Sequence, residues 1–170
     1  NTDRRSLLQY GFLSLGAFAG NALLPSLVNA ATLKSLLASQ RELLPPDQNG
    51  VRLPAGFVSR IVARSNQKIF DYPWHAAPDG GATFATEDGG WIYVSNSELD
   101  HQAGGAGALR FNADGETAAA YPILQHTSRN CAGGHTPWQT WLSCEETDNG
   151  RVWECDPFGR NAAQVRNALG

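Results

Sequence analysis

Two stretches of this chain nearly repeat one another, and the interval between them restricts the fold more than length does. Trp91-Ile92-Tyr93-Val94-Ser95-Asn96-Ser97-Glu98 is echoed by Thr140-Trp141-Leu142-Ser143-Cys144-Glu145-Glu146. Tyr93 aligns with Trp141, Val94 with Leu142, Ser95 with Ser143 and Glu98 with Glu146, 48 positions apart. Phe111-Asn112-Ala113-Asp114-Gly115 then aligns with Cys155-Asp156-Pro157-Phe158-Gly159 at 44 positions, the difference falling in Gly104–Gly107. A period of roughly 40–50 residues, made of short strands and glycine turns, is the spacing of β-propeller blades.

The surrounding pattern is of the same type. Short apolar runs at Phe57–Ala63, Gly81–Thr86, Trp91–Val94, Ala108–Phe111, Thr140–Leu142 and Arg151–Cys155 are separated by Pro-Asp-Gly-Gly, Glu-Asp-Gly-Gly, Asn-Ala-Asp-Gly and Asp-Asn-Gly turns. Regularly spaced short strands predict an all-β fold. At roughly 45 residues per blade, residues 51–170 read as about three blades of a β-propeller, a ring incomplete at its C-terminal side.

The first thirty residues differ. Arg4-Arg5-Ser6-Leu7-Leu8-Gln9 precedes an uncharged apolar stretch, Tyr10–Val28, and the small-residue pattern Val28-Asn29-Ala30-Ala31. This is the layout of a secretory signal, and the paired arginines resemble a twin-arginine export signal with Gln9 where Lys is usual. A membrane anchor is the alternative, since about 20 apolar residues span a bilayer. Gly11, Gly16, Gly20, Asn21 and Pro25 lower the hydropathy and favour a cleaved signal over residues 1–30, leaving no stable membrane span. Leucines at 33, 36, 37 and 44, followed by Pro45-Pro46, suggest a short helix or tether over 31–50. The chain starts at Asn1, contains no Met and ends in Asn-Ala-Leu-Gly, so a piece of a longer protein is expected.

The formal charge is −3, with no basic run longer than Arg4-Arg5, which excludes an electrostatic footprint for nucleic acid. No G-x-S-x-G elbow, H-E-x-x-H pair or P-loop occurs.

Candidate chemistry gathers at the repeated strand ends. Asn96 and Glu98 share one strand face and Cys144 and Glu146 another, with Glu145 pointing the opposite way. If these are inner blade strands, the acids converge on one mouth of a central channel as oxygen ligands for hard cations. Strand-end carboxylates also commonly face solvent, and the repeat is what raises Glu98 and Glu146 to candidates. Asn130–Trp138 reads as a tight glycine loop carrying the Cys131 thiol and the His135 imidazole. Cys144 and Cys155 fall on neighbouring strands, where a cross-strand disulfide is open to them; Cys131 is then a spare thiol and a candidate metal ligand. The four histidines, at 75, 101, 126 and 135, lack zinc-ligand spacing and read as surface or turn residues.

Asn130-Cys131-Ala132-Gly133-Gly134-His135-Thr136-Pro137-Trp138-Gln139-Thr140-Trp141-Leu142-Ser143-Cys144-Glu145-Glu146, followed by Asp156-Pro157-Phe158-Gly159, resembles the signature of the PhoX-type alkaline phosphatases. The resemblance implies a six-bladed β-propeller phosphomonoesterase of the bacterial periplasm or exterior, exported by the twin-arginine machinery, with iron and calcium in its channel. By that resemblance Cys131 is an iron ligand and Glu146 a neighbouring ligand. Glu145 stays open beside Glu146, Glu98 is carried over more weakly from the strand-end acidic position, and Asn96 is the candidate substrate contact. Gln139 departs from the pattern, which has Gly there. The family's later glutamates and its phosphate-contacting arginine would lie beyond residue 170, so the isolated piece is expected to be inactive. Two rival readings are a calcium-dependent lactonase or esterase propeller and a non-catalytic envelope propeller that binds a partner.

Overall fold

The computed structural model describes residues 42–167. The expected export signal and most of the 31–50 tether lie outside them. The chain divides into two units, meeting at Arg60 and Ile61. Within the first, residues 42–60 form turns around Asp47, whose carboxylate accepts the backbone N–H of Asn49 and Val51 at 2.8 and 3.0 Å, plus a single bridge from Leu43 to Pro54. No helix occurs among the described residues, so none there is long and apolar enough to cross a membrane.

The second unit is all-β. A short hairpin, β1 (Lys68–Ile69) and β2 (Tyr72–Pro73), precedes β3 (Pro78–Ala85), β4 (Trp91–Ser97), β5 (Gly104–Phe111) and β6 (Thr117–Thr127). These four form one antiparallel sheet in sequence order. A second antiparallel sheet, again in sequence order, contains β7 (Asn130–His135), β8 (Trp141–Glu145), β9 (Val152–Cys155) and β10 (Gln164–Val165). The sheets pack face to face through Phe84, Ile92, Val94, Ala106 and Ala108 of the first and Trp141 and Cys155 of the second. Phe84, Ile92 and Val94 are at most 1% exposed, and burying each contributes about 1.5–3 kcal/mol. The other face of the first sheet packs Leu109 and Phe111 against Trp74, Ile69 and Tyr72.

The repeat is real, but its register differs from the one read above. Trp91 pairs with Ala85 and Trp141 with His135, so the tryptophans correspond at 50 positions rather than 48. Both hairpins close identically, Thr86 N–H to Gly90 carbonyl and Thr136 N–H to Thr140 carbonyl. A slip of two residues preserves strand faces, so the alternation argument survives. Phe111 and Cys155 do correspond as expected, since they pair with Trp91 and Trp141. The echoed strands β4 and β8 are second in their sheets, not first.

Three further expectations change. Phe57–Ala63 is not a strand: Phe57, Val58 and Ile61 are exposed, and no neighbouring strand satisfies them. The Asn130–His135 segment is the edge strand β7 rather than a loop. Gly133 makes this possible, because a Cβ there would lie 2.4 Å from the Trp141 indole. Cys144 and Cys155 are free and lie on opposite sheet faces. Cys155 pairs with Trp141, three residues from Cys144, and an odd separation reverses the side-chain direction.

Candidate metal centre at the junction of the two sheets

The first strands of the two sheets, β3 and β7, meet at one end, and each breaks its pairing there. The β3–β4 register shifts between Pro78 and Gly81, and the β7–β8 register shifts between Asn130 and Gly133. Asp79 and Cys131 each follow directly on the last regular pair of their bulge. A bulge re-aims a side chain out of strict alternation, and bulges are common beside active sites. Here they turn a carboxylate and a thiol toward one another.

Glu98, one residue past β4, completes the group. The ligand atoms of Asp79, Glu98 and Cys131 all lie within 4.8 Å of one another. Glu98 and Cys131 are half-buried and Asp79 is exposed. Desolvation raises the Cys131 thiol above its ordinary value, and the charges of Asp79, Glu98 and Glu146, together with a hydrogen bond to Asp79, push it further up. Every influence on that thiol disfavours the thiolate. A divalent or trivalent cation is the natural partner for such a set: carboxylate oxygens suit hard ions, and a thiolate adds affinity for iron or another transition metal. The donor chemistry therefore fits the metals that the resemblance implies.

Of the acids and the thiol singled out in the sequence, Cys131 and Glu98 lie side by side. Glu146 is exposed and near enough for its charge to act on the thiol, and its N–H donates to the Arg129 carbonyl at 2.9 Å. Glu145 does something else. One of its carboxylate oxygens accepts from the Ser128 N–H at 2.8 Å; the other accepts from the Arg151 N–H at 3.1 Å and the Trp153 indole at 3.2 Å. Those bonds pin the entry to β7 and the β8–β9 turn.

Asn96, expected to touch substrate, sits inside the packed interface of the two sheets. It is fully buried. Its Nδ2 donates to the carbonyls of Cys131 and Ala132 at 2.9 and 3.1 Å, and its Oδ1 accepts from the Trp141 indole at 2.9 Å and Ser143 Oγ at 2.8 Å. A side-chain amide has two donors and two acceptor sites, so nothing is left for a ligand.

Asp79 is the residue that sequence reasoning missed. Pro78-Asp79-Gly80-Gly81 has the composition of a turn but opens strand β3. The available signal was its similarity to Cys131-Ala132-Gly133-Gly134: in both copies the chemistry-bearing side chain stands shortly before a glycine pair at the start of the first strand.

His75 lies on the opposite face of the first sheet. It stacks on Trp74 with ring centroids 4.3 Å apart, its Nε2 is 3.2 Å from Ser95 Oγ, and its buried Nδ1 has no partner. Burial lowers its pKa to about 4, so it is neutral at physiological pH.

Among the described residues, two four-stranded antiparallel meanders in sequence order meet where Asp79, Glu98 and Cys131 gather. The family model for alkaline phosphatase PhoX matches residues 74–168, more than half of the chain and both four-stranded sheets. The chain therefore belongs to the PhoX alkaline phosphatase family. No curated protein and no solved structure matches it.

Proposed function

We propose that this chain supplies part of the metal centre of an exported, metal-dependent phosphomonoesterase. The observation that carries the reading is the Asp79–Glu98–Cys131 cluster, three acidic groups drawn together with no cationic side chain among the influences on the thiol. Cys131 and Glu98 would hold iron, Asp79 and Glu146 would share in binding calcium or iron, and the substrate is a phosphomonoester. A bound cation neutralises phosphoryl charge and lowers the pKa of coordinated water. The protein's own groups select for that cation: without it, the clustered carboxylates repel a phosphate dianion. Asn96 holds β7 through the carbonyls of Cys131 and Ala132, while Glu145 fastens the β8–β9 turn.

The two meanders are read as successive blades of a β-propeller, with β3 and β7 innermost. Two four-stranded antiparallel sheets in strict sequence order, repeating at 50 positions with identical hairpins, support this. Residues 1–30 are read as a twin-arginine signal and 31–50 as a tether, giving a periplasmic or extracellular protein.

The test is metal analysis of the purified chain before and after chelation and re-addition of iron and calcium. Stoichiometric iron bound through Cys131 or calcium on the carboxylates is expected, and Cys131→Ser should abolish the iron. Absence of both metals under saturating conditions would overturn the reading in favour of a non-catalytic binding module.

A further inference from the structure

We propose that Asn96 is a positioning residue: together with the bare Cα of Gly80 it seats the Cys131 carbonyl, and so fixes where the thiol enters the acid cluster. The inference rests on the metal-centre reading and extends it inward, to a buried relay of side chains that touches no ligand.

Asn96 is the last member of a head-to-tail chain. Thr127 Oγ1 donates to Asn130 Oδ1, Asn130 Nδ2 donates to Ser143 Oγ at 2.9 Å, and Ser143 Oγ donates to Asn96 Oδ1 at 2.8 Å. Asn96 Nδ2 then donates to the carbonyls of Cys131 and Ala132. Thr127, Asn130, Ser143 and Asn96 are all at most 2% exposed. Bonds aligned in this way polarise one another, and in a low-dielectric interior each is costly to leave unmade.

The place where this relay ends carries the meaning. Cys131 and Ala132 are the bulged residues of β7, which the regular ladder to β8 leaves unpaired: pairing stops at Asn130 and resumes at Gly133. The bulge takes them out of the regular pairing, at the backbone of the ligand-bearing residue. An amide from the other sheet fixes it. From β3, Gly80 closes on the same carbonyl so tightly that a Cβ there would lie 2.6 Å from the Cys131 oxygen. The carbonyl is thus gripped by one residue and bounded by another, both outside the metal-ligating set.

Substitution of a residue that orients a metal ligand costs about 10–100-fold in metal affinity. The experiment titrates the full chain with Co²⁺ and follows the thiolate-to-cobalt charge-transfer band, with thermal unfolding of each variant in parallel. Asn96→Asp replaces the donating amide by an oxygen facing two carbonyls; it is expected to weaken Co²⁺ binding about 10–100-fold and to diminish the band. Gly80→Ala crowds the carbonyl from the other side without a backbone penalty and is expected to act in the same direction; it decides the matter if Asn96→Asp does not fold. Trp141→Phe removes a donor to Asn96 Oδ1 and some core volume but leaves both Nδ2 bonds. It should lower the unfolding midpoint while keeping the wild-type affinity and band. Wild-type affinity and band in both Asn96→Asp and Gly80→Ala would overturn the positioning role while leaving the metal centre standing. A wild-type chain that shows no thiolate–cobalt band would overturn the metal centre itself, and the proposal with it.

Discussion

Glu145 separates the two ways of reading the acidic pair that ends β8. As a metal ligand it would matter to cation affinity; as the structure has it, it matters to stability. Three N–H donors converge on its carboxylate, from Ser128, Arg151 and Trp153. A hydrogen bond to a charged group contributes about 1.5–3 kcal/mol, and a donor left stranded loses more than the bond itself. The exposed Arg151 N–H can turn to water, which leaves two bonds at about 1.5 kcal/mol each, and Glu145→Ala should cost about 3 kcal/mol. Glu145→Gln keeps one acceptor oxygen and should cost about half of that, roughly 1.5 kcal/mol. At about 4 °C per kcal/mol for a chain of this size, the alanine variant should melt about 12 °C below wild type. Thermal unfolding followed by tryptophan fluorescence measures the loss, because Trp153 is one of the donors, and a parallel Co²⁺ titration reads the metal centre. Expected is a large drop in melting temperature with unchanged cation affinity. A variant that melts with wild type and loses its cation would refute the reasoning and restore Glu145 as a ligand.

Three other outcomes follow from the geometry. Asp79→Asn should lower the Cys131 pKa, since it removes a carboxylate charge that favours the neutral thiol; the pH profile of Cys131 alkylation in the metal-free chain should move to lower pH, and an unmoved profile would place Asp79 elsewhere. His75 has a folded-state pKa of about 4 against an ordinary value of 6.5, so the unfolded chain takes up the proton first. Its contribution to stability is present at neutral pH, declines as pH falls from about 6.5 toward 4, and is fully lost below that. Urea midpoints at pH 7 and pH 4.5 should therefore differ less in His75→Gln than in wild type. Gln139 holds a φ of 68° at the turn position where the first sheet has Gly89 at 81°. Gln139→Gly should raise stability by ~0.5–1 kcal/mol in denaturant titration, and a loss would show that the glutamine side chain compensates for its backbone.

The repeat and the all-β class were legible because hairpin turns and alternating strands write themselves into composition and period. Gln139, noted as a departure from glycine, does occupy a left-handed turn position. What stayed hidden depends on pairing between strands distant in sequence. The Cys144–Cys155 separation looked right for a disulfide, and only the register of β8 against β9 shows that the two face apart. Asn96 looked like a ligand because it is polar and stands at a strand end. Its burial follows from the second sheet closing over it, supplying Trp141, Ser143 and two carbonyls as partners.

The bulges explain why the site was the hardest part to read. Alternation assigns a face to every residue of a strand by counting in twos, and one inserted residue reverses the count for all that follow. Both β3 and β7 carry such an insertion, and Asp79 and Cys131 sit in it. Counting from Thr83 along β3, or from His135 along β7, therefore gives the wrong direction at the residue where chemistry begins. The same irregularity is what makes the site possible. A regular edge strand would have turned only one of the Cys131 and Ala132 carbonyls away from its own sheet. By leaving them unpaired, the bulge hands them to Asn96 in the other sheet, and the ligand-bearing strand becomes fixed to its neighbour through a side chain. A centre assembled from two sheets needs a coupling of that kind, since neither sheet alone determines the distance from Cys131 to Asp79 and Glu98.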